Sequence, residues 1–167
     1  RRRILMAVRN CAEIGENAMK IIKRLMSNQD LVKLLYYTDK DPLSHEDLTK
    51  EEIDEKVFQK YIKVIPRLGP TEDSHSIVAM LITQGNTNEN SEFRNIIIQF
   101  EIFVPITQWI IKDTNFRPFK IMGEIQKSLK GKKINGLGRI EGGDFSFNFV
   151  SDEMTDYRQI FNIITYD

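Results

Sequence analysis

The chain has 167 residues, 41% of them apolar, and its 24 basic side chains balance its 24 acidic ones. That bounds it to one domain with a sizeable core and leaves no global field to draw nucleic acid or a membrane. The single cysteine, Cys11, excludes an intrachain disulfide framework and a cysteine-based zinc site, and no apolar run nears the roughly 18 residues that span a bilayer.

The opening RRRILMAVRN is basic and then briefly apolar, but Arg9 and Asn10 break the patch before it reaches the apolar core of a signal peptide. A chain of this kind is expected in a reducing compartment. Residues 4–26 read as a helix whose stripe is Ile4, Val8, Cys11, Gly15, Ala18, Ile22 and Leu25. The middle of that stripe is small, so close packing against another backbone is expected to offset the roughly 1 kcal/mol that a helical glycine costs. Ser27 is placed to cap a second helix over 28–37. After the turn-rich TDKDPLSHEDLT, Thr49 and Glu52 form a capping-box pattern that opens a short helix near 50–58.

YIKVI is then a short extended segment, closed by Pro66, Gly69 and Pro70. SIVAMLITQ, 76–84, is apolar on both faces, as a strand covered on both sides would be. GNTNENSE, 85–92, has no apolar residue and reads as a projecting loop between antiparallel strands. In EFRNIIIQFEIFVP the even positions Ile96, Ile98, Phe100, Ile102 and Val104 are all apolar, while Asn95, Gln99 and Glu101 are polar. A period of two puts one face of that strand on a core.

Pro118 suits the first turn of a helix over about 118–130, with Ile121, Met122, Ile125 and Leu129 on one side and Lys120, Glu124, Lys127 and Ser128 elsewhere, and Gly131 as its cap. Phe145, Phe147 and Phe149 alternate with Asp144, Ser146 and Asn148, and YRQIFNIITYD is a last strand. Helices, strands, a helix and more strands in segregated runs predict an α+β domain: an antiparallel or mixed sheet backed by helices, with an N-terminal helical segment. Residues 27–167 form the domain. Residues 1–26 either join it or reach a neighbouring protein. Phe100, Ile121, Ile125 and Leu129 are the candidate core, and the segments near 61–65 and 157–166 are candidate sheet edges.

Little here suggests chemistry. His45 and His75 lie in polar, loop-like segments without metal-ligand spacing. Ser74 beside His75 is not a triad. GKKINGLG follows a helix, whereas a phosphate-binding loop precedes one. No catalytic residue, metal ligand or cofactor site is assigned. Lys127, Lys130, Lys132 and Lys133 crowd a helix end, where cations suit the helix dipole.

DLVKLLYYTDKDPLS (30–44), KYIKVIPRLGP (60–70) and NFRPFKIMGEIQKSLKGKKINGLGRI (115–140) resemble the neck proteins of tailed bacteriophages of Gram-positive hosts, specifically the tail-terminator or head–tail joining group. The resemblance covers about residues 25–167; the run from Trp109 to Ile125 and the INGLGRI that follows are its more specific parts. It implies a structural virion protein without enzyme activity or cofactor. Such a protein forms a ring of its own copies, usually sixfold, that caps the tail tube, ends tube growth and docks to the head connector. Its partners would be itself, the tube protein and the connector, with DNA passing nearby in the lumen and no membrane. Its place would be the virion, and the host cytoplasm during assembly. The candidate docking residues are Asn86, Asn88, Asn90 and Glu92 in the polar loop and Ile163 and Tyr166 on the last strand, where sheet extension between subunits would close a ring.

Two alternatives stand beside this reading. One is a head-completion or stopper ring, separable because loss of a terminator gives overlong tails and loss of a stopper gives heads that leak DNA. The other, from a different class, is a nucleic-acid-binding regulator using Arg1–Arg3 and the lysine cluster, which requires steeply salt-dependent binding. A hydrolase using His45 or His75 is weaker, since no substrate suggests itself.

Overall fold

Local capping fixes where each helix begins. The computed structural model describes residues 10–64, 75–87, 89, 93–112, 115–134 and 138–164. Helix α1 spans Cys11–Met26 and is capped by Asn10, whose side chain accepts from the Glu13 N–H at 3.0 Å. Its buried side is Ile14, Asn17, Ala18, Ile21, Ile22 and Leu25. The expected stripe is therefore rotated. Cys11 and Gly15 face outward, because turning Ile14 and Ile21 inward removes more apolar area from water.

The expected close approach over Gly15 is absent among the described residues: a Cβ there would meet nothing within 4 Å. Gly15→Ala is therefore expected to raise stability by about 0.5–1 kcal/mol, read as a higher urea midpoint at unchanged slope.

Helix α2, Gln29–Tyr36, is capped by Asn28 and not by the expected Ser27. Ser27 closes α1 instead, its hydroxyl donating to the Arg24 carbonyl at 2.7 Å. Asn28 serves two ends at once. Its carbonyl oxygen accepts from the Leu31 N–H at 3.1 Å, while its amide donates to Glu124 Oε2 and Ser128 Oγ, both at 2.9 Å. Helix α3, Lys50–Lys56, opens with the complete Thr49–Glu52 capping box.

The main sheet has six strands: β1 (Ile62–Lys63), β2 (Ile77–Thr87), β3 (Phe93–Pro105), β6 (Lys133–Ile134), β7 (Gly138–Phe149) and β8 (Met154–Ile164). Their spatial order is β1-β2-β3-β8-β7-β6, with β1 parallel to β2 and every other pair antiparallel. A small ribbon of β4 (Ile110–Ile111) and β5 (Asn115–Phe116) leads into helix α4, Arg117–Leu129. Among the described residues, four helices with a mixed six-stranded sheet make an α+β fold.

Along β3 the even residues Ile96 to Val104 are all fully buried on the face that receives the helices. Phe100, Ile121, Ile125 and Leu129 are likewise fully buried, and the inward residues of α1 belong to the same core. Pro118 sits in the first turn of α4, and Gly131 follows the helix with φ +72°. Ser128, expected away from the core, is buried, because Asn28 and the Glu124 carbonyl both engage its hydroxyl.

Three further expectations change. The last strand is not an edge: β8 lies between β3 and β7, and Ile163 is 1% exposed in the core. Sheet extension through Ile163 is therefore ruled out, since its strand is already paired on both sides. β2 is covered on both faces only over Ile77–Met80 and continues, exposed, to Thr87. The polar loop is thus shorter than expected. Asn86 is a strand residue opposite Asn95, with a bulge between Asn86 and Thr87. Asn88, Asn90, Glu92 and Tyr166 lie outside the described residues, as do Ser74 and the Pro66–Pro70 segment. No helix among the described residues is long and apolar enough to cross a membrane.

Candidate functional site

The side chains of Phe145, Phe147 and Phe149 alternate as expected, and they project from the same face of the sheet as the buried row of β3. The register shows this: Phe145 pairs with Gln159, which pairs with Phe100, and Phe147 pairs with Tyr157, which pairs with Ile102. Yet the three phenylalanines are 54%, 51% and 70% exposed.

The helical layer ends before the strand does. α4 rests on β7 at the bulge, where Gln126 Nε2 donates to the Gly143 carbonyl at 3.0 Å. Gly142 and Gly143 have φ +105° and +107°, and a Cβ on Gly143 would come within 2.7 Å of the Gln126 amide nitrogen. Beyond that point cover thins. Phe145 still meets Phe119 of α4, at 5.8 Å between ring centres, whereas Phe147 meets Tyr157 at 5.2 Å.

Around this row the described residues assemble a connected set of rings. Trp109 meets Phe116, Phe116 meets Phe119, Phe119 meets Phe145 and Tyr157, and Tyr157 also meets Trp109 and Phe147. Several of these contacts are edge-on or tilted, arrangements worth about 0.5–1.5 kcal/mol each beyond simple burial. Tyr157 is buried beneath its neighbours, and that burial pushes its phenol pKa upward. Trp109 is fixed by its indole N–H, which donates to Thr155 Oγ1 at 2.8 Å, while that hydroxyl donates to the Val104 carbonyl at 3.0 Å. Ile106, Ile110, Phe116, Phe119 and Val150 are exposed as well. Contiguous apolar surface of the kind that Phe116, Phe119, Phe145 and Phe147 form commonly marks a site where a partner binds.

Arg117 underpins the rim of this face. It is fully buried. Its guanidinium donates to four carbonyls: Gln108 at 3.0 Å, Leu34 and Tyr37 at 2.7 Å, and Asp39 at 2.5 Å. Two of these close the C-terminal turn of α2, where a cation also suits the helix dipole. Burial pushes the Arg117 pKa down to about 10, with Asp39 acting in the opposite sense, so it stays charged at neutral pH. In RPF, therefore, the arginine ties α2, the 39–41 segment and the turn after β3 together, the proline starts α4, and the phenylalanine joins the exposed rings. Segment 39–48 is correspondingly held: Lys112 bonds Asp41 at 2.8 Å, and Gln29 grips both backbone groups of Leu48.

The histidines are not simply solvated. His45 stacks on Tyr37 at 3.8 Å and lies 2.7 Å from Asp39, and His75 stacks on Tyr61 at 4.3 Å. Among the described residues no three His, Cys, Asp or Glu side chains converge as metal ligands would. Lys127 is engaged by Glu124 at 3.2 Å and Asp30 at 3.8 Å, while Lys130, Lys132 and Lys133 are exposed. Arg1–Arg3 lie outside the described residues. A separate open groove of about 640 Å³ lies among α1, α2 and α3, lined chiefly by Met19, Met26, Ile53 and Phe58.

Sequence reasoning located the phenylalanine row but not its exposure, and it passed over Trp109, Phe116, Phe119 and Tyr157 as a group. Phe116 and Phe119 are neighbours at the start of α4, but Trp109 lies in the turn after β3 and Tyr157 on β8, and no local pattern joins all four. Compared with known proteins, the chain matches the family model described as YomW over residues 28–163. No curated protein matches it.

Proposed function

We propose that this chain, which belongs to the YomW family, is an assembly protein that binds copies of itself and neighbouring proteins. We place it in the neck of a tailed-bacteriophage particle, as the ring that caps the tail tube, ends its growth and joins tail to head. The observation that carries assembly is the exposed aromatic face, with Phe145, Phe147 and Phe149 in water on the core side of the sheet. The particular place in the particle rests on the likeness of residues 30–44, 60–70 and 115–140 to tail terminators.

The sheet supplies a mode of association. Its two ends are unlike. At one, β1 covers β2 only at Val78 and Ala79. At the other, β6 covers β7 only at Gly138 and Arg139, with Ile140 also tied to the 131–132 turn. The far part of β2 and residues 144–149 of β7 have one unpaired side among the described residues. Unlike edges favour head-to-tail contact, which closes into a ring when the rotation between copies allows it. A strand added beside β7 would also bring apolar side chains over the phenylalanines, each worth roughly 1.5–3 kcal/mol when fully buried, against the cost of association.

Sedimentation velocity tests this reading. The wild-type chain is expected to form a discrete oligomer, alone or with tube protein. The Phe145→Ser, Phe147→Ser, Phe149→Ser variant is expected to stay monomeric while still unfolding cooperatively, at a lowered melting temperature, because the rings are only partly exposed and meet Phe119 and Tyr157 within the monomer. A wild-type chain that is monomeric at every concentration and ignores tube protein overturns the proposal.

A further inference from the structure

The opposite face of the same strands holds two acids that outward-pointing polar residues would not predict. Glu101 on β3 and Asp156 on β8 are both more than nine-tenths buried. They are diagonal neighbours, since Asp156 pairs with Phe103 and Glu101 with Arg158. One oxygen of each is satisfied. Arg158 Nε donates to Glu101 Oε1 at 3.0 Å, and Asn148 Nδ2 of β7 donates to Asp156 Oδ2 at 3.0 Å. Gln99 also donates to Glu101 Oε1. The other two oxygens, Glu101 Oε2 and Asp156 Oδ1, are buried with no donor among the described residues.

Two buried acceptors with no donor between them repel, and each carries the cost of an unsatisfied group. A single proton placed between them satisfies both, the arrangement that neighbouring carboxyls adopt when only one ionises. On β2 the residue opposite Glu101 is Ala79, and beyond Ala79 in the same row is Lys63 of β1, which gives neither unsatisfied oxygen a hydrogen bond. On β7 Asn148 is neutral, and Asp144, further along on the same face, is acidic and exposed. Arg158 is already committed to Glu101.

We infer that Glu101 and Asp156 share one proton, and that its loss loosens the β3–β8 pairing at the centre of the sheet, beside the strand that carries the row Phe145–Phe149. Asp156 lies between Thr155 and Tyr157 of the aromatic face, and its donor Asn148 lies between Phe147 and Phe149. A repulsive pair therefore acts between β3 and β8, and the other side of β8 carries Tyr157 at the middle of the rings. The consequence for assembly rests on the function proposed above; the shared proton does not.

The electrostatics agree with the geometry. Burial, and then the hydrogen bond to Glu101, push the Asp156 carboxyl up to about 7. The folded state then binds more protons than the unfolded chain between the ordinary aspartate value, about 4, and that raised value. Stability from this pair is present at the acid end of the window and is lost as pH rises through about 7.

Asp156→Asn is the test, because its amide can donate to Glu101 as the protonated acid does while its oxygen still accepts from Asn148. Thermal unfolding from about pH 5 to about pH 8.5 is followed together with carboxyl ¹³C NMR and hydrogen exchange of the 99–103 and 154–158 amides. The wild type is expected to lose melting temperature across neutrality relative to the variant. At the alkaline end the variant should be higher by at least about 2–4 °C, with better-protected 99–103 and 154–158 amides, and the Asp156 carbon should titrate well above the usual range. Parallel stability profiles, or an Asp156 carbon titrating near pH 4, overturn the inference. Sedimentation in the same series reads the assembly proposal separately. A chain that remains monomeric throughout while Asp156 titrates high removes the ring and leaves the shared proton standing.

Discussion

Replacing Ile125 with aspartate is expected to leave the chain without a cooperative fold. Ile125 is fully buried on α4, the helix that packs against α1, α2, β3 and β7. Removing an isoleucine of this kind costs about 2–5 kcal/mol through lost burial and the cavity left behind. The substitute carboxyl adds the cost of a polar group in apolar surroundings with no donor nearby, another few kcal/mol even when it takes up a proton. The sum is comparable with the lower part of the roughly 5–15 kcal/mol that holds an ordinary domain together. Near-ultraviolet circular dichroism and thermal unfolding read the outcome; a cooperative transition within a few degrees of wild type would show that α4 does not lie on the sheet. Ile125→Val, by contrast, should cost only about 0.5–1.5 kcal/mol.

The second large effect concerns Arg117. Arg117→Met keeps much of the side chain's length but leaves four carbonyls without their donor: those of Leu34, Tyr37, Asp39 and Gln108. Breaking a buried charged network from one side costs about 3–5 kcal/mol, and the loss should appear as a lower urea midpoint at similar slope. Arg117→Lys should recover only part of it. A lysine presents three donors from one point, whereas the guanidinium fork reaches carbonyls on three separate segments. Equal stability of the lysine variant and wild type would mean that charge alone, and not the fork, holds these segments.

Local signals in the sequence carried much of the architecture and stopped where non-local packing begins. The even-numbered apolar row of β3, the Thr49–Glu52 box and Pro118 at the head of α4 are local devices, and each has its expected place. Asn28 and Ser27 were exchanged because two adjacent residues can both cap, and only the contact with α4 decides between them. β8 was mistaken for an edge because alternation states which side of a strand is apolar and is silent on which strands flank it. The same silence hid the site: the Phe145–Phe149 row reads as a core face whether or not a helix reaches it. A fully buried arginine such as Arg117 and a buried acid such as Glu101 have no local pattern at all, since both owe their burial to partners dozens of residues away in the chain.

β8 comes last among the strands and lies in the middle of the sheet. A growing polypeptide can zip β2 to β3 and lay down β7 early, but these pieces stay two halves of a torn page until residues 154–164 arrive to stitch them. During that interval β3 and β7 each show a long bare flank, and the short connection from Phe149 to Met154 is what brings the chain's own β8 in to fill it. Trimming 154–164 would not shave the molecule's side; it would cut its centre in two.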